Sequence, residues 1–410
     1  MYFIPTDTTP KNNKYDYFLI GYIALVVFGM YGNAFQPIRI ITLASLPFIV
    51  IQCAKSTKGS FIFRAYTVSI FLYLAIISSI FWTPDLKQGL KEIVYYFTHL
   101  SVFVLIAILY SKANNPLRSL TRGWFFLILF TSFIALIEIF LGIHLSVNLI
   151  ADDFKIQTQS FSAAKKYASV TFGNYNTYVM VITMSIPFLY SYIYTHKKFG
   201  TQILGIIILA YAYFALMINA SRGGLIAGAI VFFIWMFYIQ KLKVHHFKKK
   251  LLLFIPISAY VAIFQVKTFF REVSNRAKTD ISIVKENGRF DIIINALEKY
   301  LEKPFFGSGI GSIQTVLKDF KYTVPHNLIL EFLIQFGGIL SLIVLFFILK
   351  MLLRIPKLEL KQKAILVSTL FALPFIFVIN SNYLLQPVLW VFIGSIYCVS
   401  YYKKPTLQHD

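Results

Sequence analysis

Residues 327–353 read NLILEFLIQFGGILSLIVLFFILKMLL, and only Glu331 and Lys350 in that stretch carry charge. A bilayer core about 30 Å thick is crossed by about 20 helical residues rising 1.5 Å each, so the segment predicts a membrane-spanning helix. Working outward, eleven further windows of similar character follow: 17–31, 36–53, 61–84, 92–111, 123–145, 177–195, 201–220, 222–240, 251–267, 364–382 and 385–402. The 410 residues are 58% hydrophobic, 18% aromatic and only 14% charged, with a mean hydropathy of +0.69. A soluble domain carries about 25% charged residues, so a soluble fold is excluded. The expectation is an all-α polytopic membrane protein of about 12 transmembrane helices in a single domain spanning 1–410. Pro187, Pro256 and Pro374 fall inside windows and blur their ends. Cys53 and Cys398 lie in apolar runs, which leaves no disulfide framework and no Cys-based zinc site. The polar start MYFIPTDTTPKNNKYD lacks a secretory core and cleavage site and is expected to stay on the protein.

The formal charge of +22 would suggest nucleic acid in a soluble chain. Here the cations sit mainly in short connections between apolar runs, as membrane orientation requires, so no nucleic-acid partner is expected. With the N-terminus inside and twelve spans, 22 of the 39 Lys and Arg fall on the inner side and 16 on the outer, with Arg39 inside a span. Ten of the outer 16 lie in loop 267–325 beside seven acidic residues, and long loops weigh little. Both termini are therefore expected in the cytoplasm, anchored most strongly by KLKVHHFKKK at 241–250. Two connections, 146–176 and 267–325, then face outward. Within the second, FDIIINALEKYLEKP reads as an amphipathic helix, with Ile293, Leu297 and Leu301 on one stripe and Glu298, Lys299 and Glu302 on the other. Pro304 stops it, and FFGSGIGS reads as a flexible turn. The loop is expected to be partly helical and to lie over the membrane surface.

The most unusual local text is PHNLILEF at 325–332, a polar pair opening a long apolar helix. His326 titrates near neutrality and has a neutral form that accepts a proton, which makes it the leading general-base candidate. Asn327 and Glu331, four apart, share a helix face, and His326 lies next to them in the first turn. The competing reading is that His326 and Asn327 only cap the helix. NASRGG at 219–224 places Ser221 and Arg222 beside two glycines. Arg222 either snorkels to headgroups or offers a planar charged fork to phosphate. Gly223 and Gly224 admit either a ligand or another backbone. Arg289, in NGRFD, stands at the head of the amphipathic helix as a further phosphate candidate. In TFGNYNTY, Asn174 and Asn176 either bind sugar hydroxyls or form a turn and cap, with capping favoured, and Tyr175 is placed to stack on a sugar. Asp152 and Asp153 have no partner acid or His and read as surface charge. Glu138, deep in an apolar run, should face protein as a cross-link or line a substrate path.

GxxxxGK[ST], HExxH and CxxC are all absent, so transfer chemistry would need an already activated substrate. SRGG, FGNYN, GRF, KPFFGSGIGS and PHN before a long helix form a series that resembles the O-antigen ligase and polymerase family of bacterial membrane glycosyltransferases. The resemblance covers about residues 171–345. It implies the multi-helix fold of type C glycosyltransferases, a polyprenyl (undecaprenyl) diphosphate-linked glycan donor, no metal and no other cofactor. Carried over by position, Arg222 and Arg289 resemble the family's diphosphate-binding arginines and His326 its catalytic histidine; Asn174, Tyr175, Asn176, Ser221, Asn327 and Glu331 count as supporting or sugar-binding.

The implied reaction moves the glycan to a glycan or lipid-linked acceptor at the outer face of the bacterial cytoplasmic membrane. Repeat-unit polymerisation of an O-antigen or capsule is the leading expectation. Ligation to lipid A core or another terminal acceptor is the alternative, and a chain-length regulator and a flippase of the same pathway are conceivable partners. A transporter of lipid-linked sugars is the rival class; carriers favour internal repeats and broken helices meeting at mid-membrane. No matching pair of halves is found, and the polar motifs cluster at the outer boundary.

Overall fold

The computed structural model describes residues 11–145, 167–196, 198–219, 221–241, 289–320 and 324–402, and among these every regular element is helical. In chain order these are α1 (Lys14–Ala24), α2 (Pro37–Ala44), α3 (Leu46–Ala54), α4 (Phe61–Ser78), α5 (Leu86–Lys112), α6 (Pro116–Leu141) and α7 (Tyr175–Thr195). Then come α8 (Phe199–Ile218), α9 (Arg222–Lys241), α10 (Arg289–Glu302), α11 (Ile313–Val316), α12 (Leu328–Leu352), α13 (Leu360–Ile376) and α14 (Pro387–Tyr401). Local chemistry sets the ends. Asn13 and Asp16 close a capping box on α1, Ser60 accepts from Phe63 N–H on α4, and Asp85 accepts from Gln88 N–H on α5. Proline occupies the first turn of α2, α6 and α14, where its missing N–H costs nothing.

Every sequence window except 251–267, which lies outside the described residues, contains a helix. Among the described residues six helices are long and apolar enough to cross a bilayer, and a seventh span arises if α2 and α3, bent by 47° at Ser45, count together. Several other windows hold helices too short for a straight crossing. The window at 17–31 is α1 followed by a 3-10 turn, and the α9 and α14 segments are shorter apolar helices. Of the first long connection only residues 167–176 are described, and of the second only 289–320 and 324–325.

The main core runs the length of the bundle. Helix α7 is almost wholly buried at its centre, against α6, α8, α9 and α13, while α4 exposes most of its surface. Trp124 stacks on Phe188 at 5.1 Å and donates Nε1–H to Ser395 Oγ at 3.0 Å, joining α6, α7 and α14. Cys53 and Cys398 are buried free thiols. Glu138 is a cross-link: its carboxylate accepts the Ser169 and Val170 N–H groups at 2.8 Å each, tying α6 to the segment before α7.

Contacts sort the connections to two ends. At one end Asn13 Nδ2 donates to Lys112 O, the Arg354 guanidinium lies over Tyr401, and Tyr402 OH reaches Ser111 O. At the other, Met30 N–H bonds Thr171 O at 2.7 Å, Asn219 pairs with the Ala168 backbone, and Thr83 Oγ1 donates to Ile310 O. His196 belongs to the first end, where Arg122 and Arg118 donate Nε–H to its Nε2 at 3.0 and 3.4 Å while Nδ1 donates to Tyr192 O at 2.8 Å.

The glycine-rich segment after α10 is clamped, which corrects the expectation of a flexible turn. Helix α12 breaks at Gly337, where φ is +72°. The break frees the Gly338 and Ile339 N–H groups to bond Pro304 O and Phe305 O, and the Ile334 and Gln335 carbonyls to accept from Ser308 and Gly309. On the far side Ile310 N–H bonds Ser79 Oγ, and Gly311 N–H bonds Gln335 Oε1. No side chain fits: a Cβ on Gly307 would lie 2.6 Å from the Gln335 backbone, and one on Gly337 would strike the Phe305 carbonyl. Above this clamp Ala296, Ile313, Leu317, Leu330 and Ile334 form a second, smaller core of α10, α11 and the start of α12.

Gly337→Ala combines a left-handed backbone with a steric clash, so a loss of roughly 2–4 kcal/mol is expected, read as a lower thermal midpoint in detergent. Burial, reinforced by Arg122 and Arg118, outweighs the Tyr192 carbonyl and holds His196 down at about 4. The unfolded chain takes up that proton near 6.5, so stability falls as pH drops from 6.5 towards 4. His196→Gln should flatten that part of a melting-temperature profile.

Candidate functional site

The turn joining α13 to α14, residues 377–386, gathers the starts of three other helices. Glu331, one turn into α12, is fully buried, and its two oxygens accept the Asn382 N–H at 2.6 Å and the Tyr383 N–H at 2.9 Å. Leu328 N–H bonds Phe377 O at 3.0 Å, which fixes the first residue of α12 to the same turn. Asn380 Nδ2 donates to Thr177 Oγ1 at 2.9 Å and so attaches the start of α7. Tyr383 braces the turn from within, donating to Ile376 O and accepting from Asn380 N–H. Gly223, next to Arg222, packs so closely on α13 that a Cβ would lie 3.1 Å from Phe375 O and 3.2 Å from Ile379.

Arg222 and His326 therefore approach one turn from two directions. Arg222 is the first residue of α9 and is solvent-exposed. His326 is half-buried and precedes the α12 cap with φ at +47°, a region that costs a non-glycine residue free energy. The starts of α7, α9 and α12 converge here, and each turns the positive end of its dipole towards the rim. With one guanidinium among them, the arrangement suits an anion.

Asn327 is the α12 N-cap, accepting from Ile329 and Leu330 N–H, and Asn174 caps α7, accepting from Asn176 N–H at 2.7 Å. Tyr175 meets Tyr167 edge-on at 6.0 Å. Ser221 Oγ accepts from Gly224 N–H at 3.4 Å. Gly223 admits a neighbouring backbone, the second of the two readings given above, whereas Gly224 makes room for the Val179 side chain of α7. Arg289 opens α10, whose Ala296 packs in the smaller core with Leu330. Asp152, Asp153 and the 241–250 run beyond Lys241 lie outside the described residues.

Sequence reasoning missed the gathering turn. Its text, NSNYLLQP at 380–387, falls at the ends of the windows 364–382 and 385–402, with only residues 383–384 between them. The signal available was two asparagines and a serine bounded by a proline, richer than a simple reversal needs. Arg39 belongs to the same neighbourhood: it is buried, donates Nη2–H to Leu385 O at 3.0 Å and lies 4.3 Å from the Tyr95 ring centre.

These features define an all-helical membrane protein whose polar, cation-bearing rim lies at one end of the bundle. A protein-family model described as O-antigen ligase matches residues 205–346, the stretch from α8 into α12. It contains Ser221, Arg222, Arg289, His326, Asn327 and Glu331, and it leaves out Asn174, Tyr175, Asn176 and the gathering turn. No curated protein gives a match to the chain.

Glu331→Gln replaces one acceptor with an amide N–H₂ that faces a backbone donor. A loss of about 1–3 kcal/mol is expected, seen as a lower melting midpoint in detergent, with Glu331→Ala at least as damaging.

Proposed function

We propose that this protein is a membrane glycosyltransferase that moves an oligosaccharide from a polyprenyl-diphosphate carrier to a sugar hydroxyl, joining repeat units of a surface polysaccharide. The observation that supports the proposal is the attachment to one turn of Gly223, beside Arg222, and of Leu328, two residues after His326, at the end of the bundle where three helix starts meet. The family match over residues 205–346 supports it. In this reading His326 removes the proton from the acceptor hydroxyl, and the oxygen attacks the anomeric carbon. The bond from that carbon to the diphosphate oxygen breaks, and the electron pair leaves with the diphosphate. Arg222, Arg289 and the helix N-termini hold the growing charge, so no metal or other cofactor is required. The reacting end faces the outside of the cytoplasmic membrane, in keeping with the loop charges.

Repeat-unit transfer is preferred to ligation on lipid A core, and purified protein given a synthetic lipid-diphosphate repeat separates the two. A product ladder from donor alone is the expected result. One capped product, formed only with a terminal acceptor, would instead mark a ligase, and lipid movement across the bilayer without product would mark a carrier. His326→Ala should lower turnover by about 10²–10⁴-fold with the protein still folded, and full turnover by that variant removes the histidine from the mechanism. Arg222→Lys keeps the charge and loses the planar fork, so a smaller fall in rate is expected, measured at saturating donor.

A further inference from the structure

Phe305 and Phe306 are 68% and 61% exposed, although their backbone is among the most firmly tied in the molecule. Pro304 O and Phe305 O accept from the broken turn of α12, and Ser308, Gly309, Ile310 and Gly311 are bonded to α12 and to Ser79. The segment cannot fold back to cover its own rings. Trp82 meets Phe306 edge-on at 6.0 Å, and Phe81 beside it is 87% exposed. Four large aromatic side chains thus form one outward patch, larger than scattered surface apolar residues would make.

The faces flanking the patch say what covers it. Below it α4 turns Leu74, 61% exposed, outward, and the second half of α12 turns Leu342, 66% exposed, outward. Both helices are candidate membrane spans, so these side chains meet lipid tails. The patch continues that surface at the end of the α4 span, Phe61–Trp82, where aromatic rings favour the headgroup boundary. Exposed Lys303, two residues before Phe305, provides a cation for lipid phosphate.

We infer that Phe305 and Phe306, with Phe81 and Trp82, form a rigid wedge seated in the interfacial layer of the bilayer. The wedge plugs the break in α12, so Gly337 sits at that boundary. The nine residues of α12 before the break then extend about 14 Å along the helix axis beyond it. That sets the height at which His326 stands above the lipid. The inference rests on the spanning fold and is independent of the transfer chemistry.

Tryptophan fluorescence tests it. Trp124, Trp235 and Trp390 are buried, which leaves Trp82 as the accessible reporter. In a W82F background, F306W supplies a new reporter with a small change in shape, and F305W supplies a second should the first fold poorly. The full chain is placed in nanodiscs of phosphatidylcholine brominated near the headgroup end of its acyl chains. The expected result is strong quenching of the added signal by brominated lipid and weak quenching by aqueous iodide. Quenching by iodide alone would make the patch solvent-facing, and quenching by neither would place protein over it; each overturns the inference. Loss of transferase activity with normal lipid quenching would count against the proposed reaction and leave the wedge standing.

Discussion

Both oxygens of Glu331 are given to backbone N–H groups of the α13–α14 turn, and the arrangement of the rim depends on that contact. A buried carboxylate is costly in an apolar bundle unless it is fully hydrogen-bonded. Asn382 and Tyr383 supply those bonds because the backbone at Asn382 turns left-handed, with φ at +54°. The contact holds α12 on the turn that also carries Asn380, bonded to α7, and that follows directly on the stretch of α13 against which Gly223 packs. Three helix starts thereby share one support.

The second organising feature is the break at Gly337. An unbroken α12 would keep its carbonyls and N–H groups to itself; the break spends them on the 304–309 segment, while Ser79 and Thr83 bond Ile310 from the side of α4. One helix thus takes part in two cores, the large apolar one and the small one with α10 and α11. The boundary between them coincides with the glycines, because only residues without side chains let the three backbones approach so closely.

Much of this was legible in the sequence. Apolar length located the helices, since a run that cannot be hydrated declares itself by composition. The loop cations sorted the connections into two expected groups, since short basic loops favour one side of a membrane. Asn174 and Asn327 were readable as caps because a short polar side chain before an apolar run has few other uses. Less visible was the difference between a long straight crossing and a short or bent one, which hydropathy alone does not encode: α2 and α3 share one window yet part by 47° at Ser45.

By itself the sequence determined the class of the molecule, the segments that seek the bilayer and the residues able to take a proton or hold an anion, because those properties belong to single side chains and to runs along the chain. Only the tertiary structure decided that Glu331 is a clamp, that Gly223 beside Arg222 admits α13 and that FFGSGIGS is rigid. Each of these depends on which backbone groups from distant segments meet, and a hydrogen bond between residues fifty positions apart leaves no mark on the local pattern of either.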